Sequence, residues 1–402
     1  MTSIAFIMPS YNRSEYIAES IATVITQMRP QDTLIIVDDG STDDTEQVVQ
    51  DLGLNLTFLR QDNAGKSVAI NLALAATESD YVWICDDDDL LRPNIVGRFV
   101  EKMEAEDVDV VFGCYTRFRV EDGVRVEMGT GYWPDLSSGT INRHVLEDAF
   151  IMHNATLARR DVYEAVGNFN PEMLRSQDYD MFVKLALRSR FAYIDEVVFD
   201  QRKHEGNRGP KNIQHSANHS HAVWKKFDKM IFDDFRDDVP LAYFESFFDS
   251  HLERAKTRSA LLQRACMFGR HGLWDKAIDD CVSAVELGLE PRLSALEADI
   301  CRRMMSGKHG FAGVLVPEIM SRVRALGRRS KFGQSLILEM ANGVMWRLRA
   351  DDKIAKDDAI RFLEQVGSFG LWLRLAKRRI LPRYAETTVV ELDEFHALKP
   401  GV

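Results

Sequence analysis

Four consecutive carboxylates, Asp86 to Asp89, follow the apolar segment Tyr81-Val82-Trp83-Ile84-Cys85. This places several acids at the mouth of a buried strand. Like charges so close raise one another's pKa unless a cation or strong hydrogen bonds compensate them. Mg²⁺ or Mn²⁺ suits such a site, because hard divalent cations combine carboxylate oxygens with substrate phosphate oxygens. Taken alone, the run is equally a solvated acidic cap on the next helix. The preceding apolar strand, and Pro93 in the first turn of the helix that follows, favour the metal.

Three further polar clusters sit where apolar runs end. Asp38-Asp39-Gly40-Ser41-Thr42-Asp43 offers a carboxylate to a nucleobase N–H, or else forms a plain turn capped by Asp43. Pro9-Ser10-Tyr11-Asn12-Arg13 offers an aromatic face for a base and a cation for phosphate, or else a capped loop. In Asn63-Ala64-Gly65-Lys66 the glycine permits close backbone approach and Lys66 can meet phosphate, although a helix N-terminus explains the same residues. At Ser176-Gln177-Asp178-Tyr179-Asp180, acids open an amphipathic helix, where the macrodipole favours the ionised form. The basic stretch Arg202 to Arg208 follows a strand and fits either a diphosphate or a surface loop.

The elements that must position these residues are legible in outline. Up to about residue 110, β-branched apolar runs alternate with helical patterns, which predicts repeated βα units and a mostly parallel, Rossmann-like α/β sheet. The strands are expected at Ile4 to Met8, Thr33 to Asp38, Leu56 to Arg60, Tyr81 to Cys85 and Val108 to Gly113. In such sheets ligands bind beyond the carboxyl ends of the strands, where the first, second and fourth of these runs end in polar clusters. From about 110 to 205 the pattern is mixed, with strands at Val111 to Val120, Thr156 to Arg159 and Ala192 to Phe199, and helices near Arg143 to Ala149 and Tyr179 to Arg188. The first domain is therefore set at 1–214, with a βα-repeat half at about 1–110 and a mixed half at about 111–214.

Beyond 215 strand signals nearly vanish, and an all-α domain is expected over 215–402. One tetratricopeptide-like hairpin falls near 260–291, but a single unit reads better as an ordinary helical hairpin. Phe369, Trp372, Leu373, Ala376 and Ile380 share a helical face beside Arg374, Lys377, Arg378 and Arg379. The segment Phe369 to Arg383 suits either an anionic membrane surface or packing against the bundle.

The chain has 402 residues, 45% of them hydrophobic, and a net charge of -11, which disfavours broad nucleic-acid binding. Its five cysteines form no C-x-x-C pair, so neither a disulfide framework nor a zinc site is indicated. No apolar run reaches the roughly 18 residues of a spanning helix. A cytoplasmic location is expected, with peripheral attachment to the inner face of the membrane through 369–383 as the other setting.

Taken in order, the clusters at 9–13, 37–43, 63–65 with Asn71, 86–93, Gly167 with Phe169, 176–181 and 202–204 make the chain, over about 3–210, resemble family 2 of the inverting glycosyltransferases, which adopt the GT-A fold. The resemblance implies that Asp39 reads the nucleobase, Asp86 the ribose region and Asp88 the metal, with His204 adding a diphosphate or metal contact. Pro9, Tyr11, Arg13, Asn63, Lys66 and Asp87 complete the expected donor set, and Asp178 matches the family's general base. Three positions depart from the family: Gln177 replaces an acid before the base, Ile70 replaces an Arg before Asn71, and Asn168 and Asn170 replace Gly and Asp around Phe169.

The function expected is metal-dependent transfer of a sugar from a nucleoside-diphosphate sugar, first of all a UDP-sugar, to a glycan or glycolipid acceptor in bacterial-type polysaccharide or glycoconjugate synthesis, with Mn²⁺ or Mg²⁺. The alternatives are a sugar nucleotidyltransferase and a nucleotide-sugar sensor or scaffold acting on a protein partner through its helical domain. The first of these normally carries a Gly-rich basic loop after the first strand, where this chain has Pro9 to Arg13.

Overall fold

The computed structural model describes residues 2–137, 139–204, 220–233, 235–289, 292–307, 310–367 and 390–391. The chain divides into two compact units, one of residues 1–137 with 149–220, the other of 138–148 with 221–402.

Among the described residues the first unit is built on nine strands. β1 (Ile4–Ser10), β2 (Thr33–Asp38), β3 (Thr57–Arg60) and β4 (Tyr81–Ile84) alternate with α1 (Ile17–Ile25), α2 (Thr45–Asp51) and α3 (Lys66–Ala75). Then come β5 (Leu90–Leu91), α4 (Ile95–Glu106), β6 (Val110–Glu121) and β7 (Val124–Thr130). After α5 (Ile141–Glu147), which belongs to the other unit, follow β8 (Thr156–Arg159), α6 (Arg160–Val166), α7 (Gln177–Ala186) and β9 (Phe191–Arg202).

The sheet order is β3-β2-β1-β4-β8-β6-β9-β5, with β7 paired to β6. β1 to β4 pair in parallel, as the βα alternation requires. β8 then runs antiparallel to β4 and β6, so the sheet as a whole is mixed. The β6–β7 hairpin, turning at Asp122-Gly123 with both residues at positive φ, was not expected from sequence. Val124, Val126 and Met128 alternate with Arg125 and Glu127, and Phe118 and Val120 with Arg119 and Glu121, so the period of two is present, but most of the hairpin's apolar side is exposed.

Every residue of β1 is buried, as expected for a central strand of a parallel sheet. Helix α1 buries Ile17, Ile21 and Val24, spaced four and three apart, against that sheet. Phe6, Trp83 and Phe99 stack through this core, with ring centroids 6.1 and 4.8 Å apart.

The second unit is helical: α8 (Ser220–Asp233), α9 (Phe235–Asp238), α10 (Leu241–Glu245), α11 (Glu253–Arg270), α12 (Trp274–Glu286), α13 (Ala295–Met304), α14 (Pro317–Arg329), α15 (Lys331–Val344) and α16 (Lys353–Val366). α11 and α12 pack against each other as a helical hairpin. Its interior holds ion pairs as well as apolar residues. Arg258 is paired with Glu297 at 2.7 Å and Arg264 with Asp280 at 2.8 Å, all four buried. Segment 138–148, which the sequence reading set within 1–214, falls in the helical unit. It clusters with the helices because the buried Glu147 meets Arg143 of its own helix, Gln263 of α11 and Arg303 of α13.

No helix among the described residues is long and apolar enough to cross a membrane. The segment Phe369 to Arg383, like 205–208, lies outside the described residues.

Candidate active site

The polar clusters converge at the carboxyl ends of β1, β2 and β4. Three parallel strands in register deliver their following loops to one edge, so Ser10 lies beside Asp38. Side chains then stitch the loops together. Asn12, at φ +53°, accepts from the Thr42 amide at 2.8 Å and donates its own amide to the Ser41 hydroxyl at 2.8 Å. The Arg13 amide reaches the Thr45 hydroxyl at 2.9 Å. Asn12, Ser41 and Thr45 therefore hold two loops as one surface, on which Pro9 is a buried strand residue and Tyr11 is partly exposed.

Asp39 is buried and its carboxylate accepts from the Ala64 and Gly65 amides at 2.8 and 2.9 Å and from the Gln61 side chain at 2.7 Å. Asn63 donates to the Asp39 carbonyl at 2.9 Å. The acid expected to meet a base thus also folds the 61–65 loop onto β2. Gly40 makes this approach possible: its φ is +75°, and a Cβ there would sit 2.9 Å from the Asn63 nitrogen.

In the carboxylate run the four acids have different surroundings. The Asp86 carboxylate bonds the Lys66 ammonium, while its backbone amide donates to the Asn154 side chain. Asp87 is buried, and burial with the neighbouring Asp88 charge pushes its carboxyl up to about 7 against the pull of Arg13. Asp88 meets His204 at 2.9 Å and Arg13 at 3.5 Å. Asp89, raised well above the usual range by burial and by Asp88, accepts from the Arg202 amide at 2.8 Å and from Asn154 at 2.7 Å. Arg13, expected on the donor diphosphate, here faces Asp87 and Asp88 at 3.6 and 3.5 Å.

Among the described residues no three His, Cys, Asp or Glu side chains form a group that could hold a metal ion. Two do meet, Asp88 and His204. An oxygen and an imidazole nitrogen on a crowded acidic run fit Mn²⁺ or Mg²⁺ provided substrate oxygens complete the shell.

Asp178 opens α7 just after Ser176, a non-glycine residue at φ +56°. Such backbone strain concentrates at functional sites. Burial raises the Asp178 carboxyl, with Lys66 acting in the opposite direction. Lys66 in turn is held protonated, Asp86 and Asp178 outweighing its desolvation. The charge of this lysine, bonded to Asp86, also acts on the candidate base. Nearby, Asn71 clamps Phe169 through paired bonds of 2.9 Å to its carbonyl and amide, while Ile70 is fully buried in the core.

Sequence reasoning missed Asn154, Arg202 as a brace, and Gln61. Asn154 touches Asp86, Asp89 and the Trp83 indole, which donates to its carbonyl at 2.9 Å. Its signal was slight: a polar His-Asn pair immediately before an apolar strand.

A mixed α/β sheet with acids and a lysine gathered beyond its parallel strands has the architecture of the GT-A fold. Residues 5–167 match the family model Glycosyl transferase family 2. Chondroitin synthase of Escherichia coli is 28% identical over 233 residues, covering 56% of this chain and 33% of the relative. Hyaluronan synthase of Pasteurella multocida is 26% identical over 215 residues, covering 52% and 21%. The chain thus spans a third or less of the length of these two relatives. Among solved structures, S. aureus TarS 1-349 in complex with UDP-GlcNAc aligns with a TM-score of 0.51 at 17% identity, covering 98% of this chain and 100% of that one, a likeness of fold.

Proposed function

We propose that the protein is an inverting glycosyltransferase that moves a sugar from a UDP-sugar to a hydroxyl of a glycan or glycolipid acceptor. The observation carrying this reading is Lys66, which bonds Asp86 on the donor side and acts on Asp178 on the acceptor side. The TarS complex with UDP-GlcNAc supports a UDP-sugar, and the synthases among the relatives support polysaccharide synthesis.

In the proposed reaction Asp178 accepts the proton of the acceptor hydroxyl as that oxygen attacks the anomeric carbon. Attack comes from the face opposite the diphosphate, so the configuration inverts. Asp39 and the 61–65 loop receive the base, and Asp86 the ribose. Arg13 and Lys66 place positive charge beside the departing diphosphate. Asp88 and His204 would hold Mn²⁺ or Mg²⁺, which when bound neutralises charge on the leaving group.

The test is a panel of nucleotide sugars with Mn²⁺, reading thermal stabilisation and nucleoside-diphosphate release, run on the native chain and on Asp178→Asn. The variant is expected to lose transfer by at least about 100-fold, the usual worth of a general base, while still binding donor. Transfer by Asp178→Asn at near-native rate, or release of pyrophosphate by the native protein, would overturn the reading.

A further inference from the structure

The ring stacked on His204 comes from the N-cap of α1, outside every motif that identified the site. Tyr16, at the N-cap of α1, stacks its ring on the His204 imidazole with centroids 5.1 Å apart and planes 29° from parallel. The same ring lies 5.2 Å from the guanidinium carbon of Arg202.

Arg202 is itself buried and extends several arms. Its amide bonds the Asp89 carboxylate at 2.8 Å, its Nε donates to the Asp88 carbonyl at 2.9 Å, and its Nη2 reaches Glu19 of α1. The Phe118 ring lies 4.8 Å from the guanidinium carbon. Tyr16 therefore bears at once on the histidine that meets Asp88 and on the arginine that braces the Asp88-Asp89 turn.

We propose that Tyr16 is a positioning residue for the cation-binding pair Asp88 and His204, with Glu19 and Phe118 keeping Arg202 in place. This rests on the reading that Asp88 and His204 share the metal. A flat ring against the imidazole limits its rotation, so the nitrogen facing Asp88 stays oriented without a separate ordering cost when the ion arrives. Outer-shell partners of this kind typically change metal affinity by about 10- to 100-fold when removed.

The experiment uses the full chain with UDP present and follows free Mn²⁺ by electron paramagnetic resonance, a readout independent of turnover. Tyr16→Leu is expected to weaken Mn²⁺ binding about tenfold, toward the His204→Ala value. Tyr16→Phe, which keeps the ring, should bind as the native protein does. UDP binding without metal should be alike in the native protein and the two Tyr16 variants. Native-like Mn²⁺ affinity in a folded Tyr16→Leu variant, with His204→Ala weakened, overturns the proposal alone. An unchanged affinity in His204→Ala removes the metal reading and the proposal with it. Should Tyr16→Leu fail to fold, Tyr16→Met carries the same expectation with nearer the native volume.

Discussion

At the scale of single residues the site is a set of carboxylates held in different protonation environments. Burial raises Asp178, and Lys66 lowers it. A base must be ionised to accept a proton, so activity is present above its pKa and lost as pH falls through it. The acidic limb of the kcat profile is expected above the ordinary carboxylate value of about 4. Lys66→Met removes the lowering charge and should move that limb to higher pH at saturating donor. A limb that stays in place in the variant would detach Lys66 from the base. These assignments were partly legible in the sequence, since Asp39, Asp86, Asp88 and Asp178 each lie at the start or end of a patterned element. Arg202 was legible only as a basic residue after a strand. Its bracing role depends on Asp89, 113 positions away, and no local pattern encodes such a pairing.

At the scale of elements, the parallel strands β1, β2 and β4 do the positioning, and the loops beyond them are tied by backbone donors. The 61–65 loop hangs on the Asp39 carboxylate, and Gly40 leaves space for it. Gly40→Ala would put a methyl 2.9 Å from the Asn63 nitrogen at a φ of +75°, so the loop must move off β2. UDP affinity is expected to fall about tenfold or more while the protein stays folded, strain at such a position being worth about 1–3 kcal/mol. Calorimetric titration with UDP checks it, and native affinity would show that the loop does not shape the base site. The sequence predicted β2 and β8 over their full lengths and β1, β3, β4, β6 and β9 to within a few residues, because apolar runs bounded by polar turns are strong signals, while the two-residue β5 went unseen. The sequence reading also missed β7 and the turn that pairs it with β6, although Asp122-Gly123 and the alternation of Val124, Val126 and Met128 with Arg125 and Glu127 carry that signal, because the arm is short and largely exposed.

At the scale of the whole molecule, the boundary between the units does not follow the order of the chain. The composition change near 215 was visible, but the excursion at 138–148 was not, since α5 carries no pattern that assigns it to either side. Its allegiance rests on Glu147, held far below the usual carboxylate range despite burial by Arg303, Arg143 and Arg270. Arg270 also donates to the Glu147 carbonyl at 3.1 Å and pairs with Asp148, and the His271 imidazole meets the Leu146 carbonyl at 2.9 Å. Removing one side of a buried ionic cluster leaves charge without compensation and costs about 3–5 kcal/mol, a large part of a domain's stability. A chain ending at residue 220 keeps α5 but loses α11 and α13, which supply these partners. It is expected to be aggregation-prone and to show no cooperative thermal transition. Replacing 138–148 in that fragment with a Gly/Ser linker should restore solubility and a single transition, because the orphaned charges are then gone. A soluble, cooperatively melting 1–220 fragment with α5 intact would mean that the helices are dispensable to that segment.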